Sequence, residues 1–164
     1  MIGSTAAAIE PIVNRMLSRK IALCHGDYSP KNILTHAQGF TLVDYETAHF
    51  GDPTMDLGFF LSHLILKAIK HDPIRQRYFE LTRAFWRSYA QEIDYRSLAE
   101  LQEEGIEHFA VCALARIDGT SPVDYLPEEP KRDAVRRLGR RILWERPSSW
   151  EGVLEMCEAC LRDS

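Results

Sequence analysis

The most constraining feature of this chain is the polar stretch 25–32, which reads His-Gly-Asp-Tyr-Ser-Pro-Lys-Asn and follows a short apolar run. It has the form His-x-Asp-x4-Asn, with Asp27 as its carboxylate. Two strand-like runs follow between residues 32 and 43, separated by the turn residues Ala-Gln-Gly, and they lead to Asp44. We therefore predict a β-hairpin that ends in Asp44 and faces the loop that carries Asp27.

The residue types in this arrangement fit phosphoryl transfer. Such a site needs a carboxylate that accepts or orients the proton of the attacking hydroxyl, and hard oxygen ligands that hold Mg²⁺ against the phosphates. Asp27, Asn32 and Asp44 supply one base and two metal ligands, and we expect them to converge on one site. A lone His-x-Asp could be an ordinary turn with a packed histidine, but the combined spacing favours the phosphoryl-transfer site.

The stretch resembles the catalytic loop and the metal-binding Asp of the protein-kinase-like fold. It is most similar to the small-molecule branch, which contains aminoglycoside phosphotransferases, choline kinases, and bacterial homoserine and methylthioribose kinases. The resemblance implies that Asp27 is the catalytic base and that Asn32 and Asp44 bind Mg²⁺. It also implies that His25 ties the catalytic loop to the metal-binding loop, and that ATP is the co-substrate.

A second segment, 51–57, reads Gly-Asp-Pro-Thr-Met-Asp-Leu and matches the usual continuation of that family. By this resemblance, Asp56 caps the following helix and braces the catalytic loop through its backbone. Gly26 stands where protein kinases place an Arg, Ser29 stands where they place a Lys, and no Ala-Pro-Glu element follows. The resemblance therefore implies a small alcohol as acceptor, such as an aminoglycoside, an amino alcohol or a sugar, and activity that phosphorylation does not switch.

Acidic groups of this lobe help to receive cationic or hydroxyl-rich substrates in the resembling kinases. Glu46 and Asp118 are the corresponding candidates here, together with the pair Glu103 and Glu104. Asp118 lies in an Asp-Gly-Thr-Ser-Pro loop between helical stretches, where a simple Asp-Gly turn is an equally good interpretation.

Outside the motif the apolar residues recur at helical spacing. This pattern predicts helices over 5–19, 56–70, 73–92, 95–116, 131–144 and 149–161. We expect a break near Gly105 and a loop over 44–53. The fold class is therefore α+β and mainly α. With the resemblance, it is the C-terminal lobe of a protein-kinase-like fold with a small β-hairpin, in a single domain over 1–164.

The elements that hold ATP in the resembling kinases are not found in the sequence. They are a Gly-rich loop and a Lys held by a Glu, both on an N-terminal β-lobe, whereas the chain has no Gly-x-Gly and Lys20 lies too close to the motif. We expect that lobe to be absent and the lone chain to have negligible turnover. We also expect an apolar face covered by a second copy or by a separately encoded N-terminal lobe. The alternative function is a non-catalytic binding or regulatory module.

The composition argues against several other classes. A net charge of −4 disfavours general binding to nucleic acid or to anionic membranes. No segment approaches the roughly 18 apolar residues that span a bilayer, and residues 1–20 lack the pattern of a signal peptide. The four cysteines therefore indicate reduced thiols in a cytoplasmic protein.

Two weaker patterns each have a structural interpretation that we favour. Cys157-x-x-Cys160 has metal or redox spacing, but it lies on a predicted helix without a second pair of ligands, which favours packing. The basic stretch 131–141 favours a solvated helix face over a surface that binds phosphate or an acidic partner.

Overall fold

The computed structural model describes residues 2–162, with side chains from residue 5 onward. This part of the chain is mainly helical and contains four short strands, which confirms the predicted α+β, mainly α class. The helices are α1 (Ile2–Ser18), α2 (Thr54–Lys70), α3 (Arg75–Glu92), α4 (Leu98–Asp118), α5 (Glu129–Glu145) and α6 (Trp150–Arg162). The strands are β1 (Ala22–Cys24), β2 (Ile33–His36), β3 (Gly39–Leu42) and β4 (His49–Gly51).

The strands form two antiparallel pairs. β2 pairs with β3 in a register that sets Ile33 opposite Leu42, which confirms the predicted hairpin. β1 pairs with β4, and Ala22 lies opposite Gly51. The prediction of a loop throughout 44–53 was therefore wrong, because β4 is too short to show an alternating pattern. This second pair joins the start of the catalytic loop to the chain that follows Asp44.

Helix α2 forms the centre of the lobe and is buried along most of its length. It packs closely on α4 because two glycines meet at the crossing. A Cβ atom on Gly58 would lie 2.5 Å from the backbone nitrogen of Phe109 and 2.7 Å from the carbonyl oxygen of Gly105. The predicted break near Gly105 was wrong, since α4 runs unbroken through this residue. The glycine gives room to Leu57, whose Cδ2 would lie 2.7 Å from an added Cβ.

Helix α1 folds back on its own lobe. Ile12 is buried in the core, and Ile9 packs against the core as well. Beyond this apolar contact, Arg19, the residue after α1, donates hydrogen bonds to Asp52 in the segment before α2 and to Glu104 in α4. These contacts give the segment that leads into α2 a fixed position.

The cysteine pair of α6 is part of the core. Cys157 and Cys160 are buried free thiols, and burial is the main cause that raises the pKa of Cys157 to about 12. Within residues 2–162, no group of three or more His, Cys, Asp or Glu side chains is placed to hold a metal ion. None of the helices described is both long and apolar enough to cross a bilayer.

The basic face of α5 is largely paired with neighbouring acceptors. Arg136 contacts Asp118, Glu129 and Asp133. Arg132 donates to the carbonyl oxygen of Ile117. The positive charges of these two arginines therefore serve contacts within the lobe.

Candidate active site

The polar stretch 25–32 forms a loop between β1 and a single 3-10 turn at Pro30–Asn32. Gly26 has a φ of +82°, in the left-handed region, and an added Cβ would lie 2.5 Å from the carbonyl oxygen of Thr47. The Thr47 hydroxyl in turn donates to the carbonyl oxygen of His25, at 3.1 Å. Glycine is thus needed at this position for the loop to lie against the segment after Asp44.

The backbone of the loop is held by the first turn of α2. The Asp56 carboxylate accepts hydrogen bonds from the amides of His25, at 2.6 Å, and Gly26, at 2.9 Å. The helix-capping contact that we predicted for Asp56 is made by a different carboxylate. Asp52 Oδ1 accepts from the Thr54 amide at 3.1 Å and from the Thr54 hydroxyl at 2.7 Å.

Asp52 stays ionised although its side chain is fully buried. Burial opposes its charge, but the hydrogen bonds from Thr54 and Arg19 outweigh that effect and hold the pKa of Asp52 below its usual value. The two aspartates therefore have different structural roles. Asp52 fixes the start of α2, and Asp56 fixes the loop.

His25 connects this loop to the residues around Asp44. Its Nε2 donates to the carbonyl oxygen of Val43 at 3.0 Å, and its ring lies 4.7 Å from the ring of Tyr45. The backbone amide of Asp27 points to His25 Nδ1 at 3.4 Å, which suits a ring protonated on Nε2. His25 thus contacts the residues on both sides of Asp44 and the amide of Asp27.

The Asp27 carboxylate is fixed through one of its two oxygens. Asn32 Nδ2 donates to Asp27 Oδ2 at 3.1 Å and to the Asp27 carbonyl oxygen at 2.8 Å, and Lys31 Nζ lies 2.9 Å from the same Oδ2. Partial burial of Asp27 disfavours its charge, but the hydrogen bonds from Lys31 and Asn32 hold its pKa below the usual range. Asp27 Oδ1 accepts no hydrogen bond from a described residue.

Three of the acidic candidates line one cavity of about 440 Å³, namely Asp27, Asp44 and Glu46. Asn32 does not line this cavity, but it donates to Asp27, which does. Asp118 does not line the cavity, and both of its carboxylate oxygens accept from Arg136 at 2.8 to 3.1 Å.

The cavity also contains residues that the sequence did not single out. The guanidinium of Arg116 lies 5.0 Å from the centre of the Phe59 ring and donates to the Ser121 carbonyl oxygen at 2.9 Å. The packing of α2 on α4 brings Arg116 to the loop, and no local pattern signals that approach. Lys31, by contrast, lies inside the motif, four residues after Asp27, so the sequence alone could have indicated that it lies near Asp27.

Asp44 and Asn32 carry the kind of hard oxygen donors that Mg²⁺ prefers. Asp44 has a φ of 70°, uncommon for a residue other than glycine, and its side chain borders the cavity. The Nδ2 of Asn32 is committed to Asp27, which leaves its Oδ1 available as a ligand. Mg²⁺ commonly takes one or two protein oxygens and completes its shell with phosphate and water.

A mainly helical lobe in which a short hairpin sets an aspartate beside a His-x-Asp-x4-Asn loop is the C-terminal lobe of a protein-kinase-like fold. Residues 5–101 match the model of APH, the phosphotransferase enzyme family, and the chain belongs to that family. It is also similar to a methylthioribose kinase of Geobacillus kaustophilus (strain HTA426), with 27% identity over 159 residues. The match covers 80% of this chain and 40% of the relative, so the chain spans less than half of the relative's length.

Proposed function

We propose that this chain is the catalytic lobe of an ATP-dependent kinase that phosphorylates a hydroxyl of a small molecule. The observation that carries the proposal is the shared cavity of Asp27 and Asp44, with Asn32 bonded to Asp27. The family supports phosphoryl transfer to small molecules in general. The site residues and the acceptor are our proposal.

Asp27 orients the acceptor in this reaction. The acceptor hydroxyl donates to Oδ1, which has no partner among the described residues, while Asn32 keeps Oδ2 in place. The acceptor oxygen then bonds to the γ-phosphorus of ATP, the bond from that phosphorus to the bridging oxygen of ADP breaks, and the proton passes to Asp27. Its lowered pKa keeps Asp27 ionised near neutral pH, ready to accept the hydroxyl hydrogen bond.

Asp44 and Asn32 are the proposed magnesium ligands. A bound Mg²⁺ would hold the ATP phosphates and neutralise part of their charge. His25 and Asp56 are positioning residues in this scheme, because His25 bonds to Val43 beside Asp44 and Asp56 bonds to the loop amides beside Asp27.

The acceptor is a small polar molecule. A cavity of about 440 Å³ lies at the lower end of the range for small-molecule sites. Glu46 and the loop residues Thr120 and Ser121 line it, and they offer acceptors and hydroxyl groups to a hydroxyl-rich ligand. Methylthioribose, aminoglycosides, amino alcohols and sugars are the candidate classes. Asp118 remains a weaker candidate, because Arg136 occupies its carboxylate.

A partner covers the apolar surface beside this site in our proposal. An apolar groove of about 1120 Å³ adjoins the catalytic loop and is lined by aromatic residues of α2, α3 and the loop. Leu23 and Phe40 at this groove are 74% and 66% exposed. Exposed apolar surfaces of this kind usually mark interfaces. The proposed occupant is a second copy of this chain or an N-terminal lobe, and we expect residues 1–164 to turn over little without it.

An assay of the lone chain with ATP, Mg²⁺ and members of the four acceptor classes tests the proposal. We expect saturation-transfer NMR to detect one acceptor class, with weaker binding to a Glu46→Gln variant, and we expect negligible ATP consumption. Robust ATP consumption by the lone chain that is lost in the Asp27→Asn variant would contradict the need for a partner. Acceptor binding without any binding of Mg²⁺ and ATP would favour the non-catalytic module.

A further inference from the structure

We propose that Lys31 is a further catalytic residue, whose ammonium leaves Asp27 and binds the phosphate group when that group enters the cavity. The inference rests on the proposed function, since it assigns a phosphate contact within the same site. It gives this lobe a phosphate-binding cation of its own, carried by the loop that also carries Asp27.

Asp27 does not depend on Lys31 for its orientation. The oxygen that Lys31 contacts, Oδ2, also accepts from Asn32 at 3.1 Å, and Asn32 makes a second bond to the Asp27 backbone. Asn32 is buried, with 4% of its surface exposed. Departure of Lys31 therefore leaves the carboxylate held by a fixed amide, with Oδ1 still directed to the acceptor.

Lys31 is also free to move. Its side chain is 62% exposed, and an exposed ion pair is weak because water screens it. The ammonium sits on a flexible four-carbon stem and can reorient without a change in the loop. A phosphate group with about two negative charges at neutral pH attracts it more strongly than the single charge of Asp27 does.

The charge of the cavity determines when Lys31 can move from Asp27 to a phosphate group. Three carboxylates, those of Asp27, Asp44 and Glu46, face two cations, Lys31 and Arg116. Without a metal ion the cavity therefore repels anions. With Mg²⁺ bound, the sign reverses, and Lys31 becomes the exposed cation that adjoins the metal-bound phosphate.

Binding of inorganic phosphate in the presence of Mg²⁺ tests the inference in the chain as it exists. We expect Lys31→Gln to weaken phosphate binding by about tenfold, the size of a lost charge-assisted hydrogen bond. Lys20→Gln is the matched control, because Lys20 is exposed and forms no ion pair with a described residue. The control should change the affinity by less than about twofold. Equal affinities for the two variants would overturn the proposal.

Unchanged phosphate affinity in Lys31→Gln would show that Lys31 is only a fixed partner of Asp27, which overturns the proposal. Phosphate binding can be measured without phosphoryl transfer. The proposed function could fail while the Lys31 contact holds. In that case phosphate binding would depend on Lys31, but no assembly of the chain would show phosphoryl transfer that depends on Asp27.

Discussion

Replacing Asp44 with Asn is expected to lower the affinity of the chain for the Mn²⁺ complex of ATP by roughly 100-fold. The carboxylate is the charged one of the two proposed ligands, and an amide oxygen in its place keeps the shape but loses the attraction between opposite charges. Water-proton relaxation measures the binding of the complex, with Mn²⁺ as the paramagnetic substitute for Mg²⁺. Addition of a chelator should abolish the signal.

Glu46→Gln is the matched control for this experiment. Glu46 lines the same cavity and the substitution removes the same charge, but Glu46 is proposed to contact the acceptor and not the metal. We expect a change of no more than a few-fold in metal–nucleotide affinity. If the two variants lose affinity equally, the effect is one of net charge, and Asp44 is not a ligand.

Gly58→Ala is expected to destabilise the lobe by about 2–3 kcal/mol. Alanine gains about 1 kcal/mol over glycine in a helix, but the added Cβ would lie 2.5 Å from the backbone of Phe109 and 2.7 Å from that of Gly105. Backbone atoms of a packed helix do not yield as a flexible side chain does, so the clash outweighs the gain. Urea denaturation followed by circular dichroism gives the free energy of unfolding.

Gly152→Ala separates this clash from the general effect of helical glycines. Gly152 also lies within a helix, α6, but the nearest neighbour of an added Cβ is a side-chain atom of Pro147 at 3.2 Å. We expect this variant to be close to neutral or slightly more stable. A similar loss in both variants would show that the α2–α4 crossing is not the constraint that we infer.

The features that sequence could predict are those defined by local pattern. The hairpin was predictable because β2, its turn and β3 are contiguous, and the helices because their apolar residues repeat over several turns. The strand β4 was not predictable, because it has three residues and its partner β1 lies far along the chain. Pairing of this kind is a property of the folded lobe.

The candidate site also contains some features that local pattern predicts and others that depend on the folded lobe. Asp27 and Asn32 lie in one short loop, so their contact follows from the motif. The contact of Asp56 with the loop amides agrees with the expectation, whereas the capping contact of Asp52 was not foreseen, because it depends on how the segment before α2 packs. Arg116 enters the cavity only through the crossing of α2 and α4, and local spacing carries no sign of it.

Asp118 shows how a contact in the folded lobe can weaken a candidate that the sequence offers. Its place in an Asp-Gly-Thr-Ser-Pro segment made it a candidate for substrate binding, but Arg136 of α5 binds its carboxylate. The hydrogen bond from Arg136 is the main cause that lowers the pKa of Asp118. This contact between α4 and α5 makes Asp118 a weaker candidate, and its contact with substrate stays a prediction.

We propose that the catalytic loop and the end of the hairpin form one site for metal and phosphate. Backbone amide NMR of the chain with Mn²⁺ and ATP tests it most directly, because a bound Mn²⁺ ion broadens the signals of nearby residues. We expect the signals of residues 27–32 and 43–46 to broaden together, and the Asp44→Asn substitution to restore both. Broadening confined to one of these segments, or located elsewhere on the lobe, would contradict it.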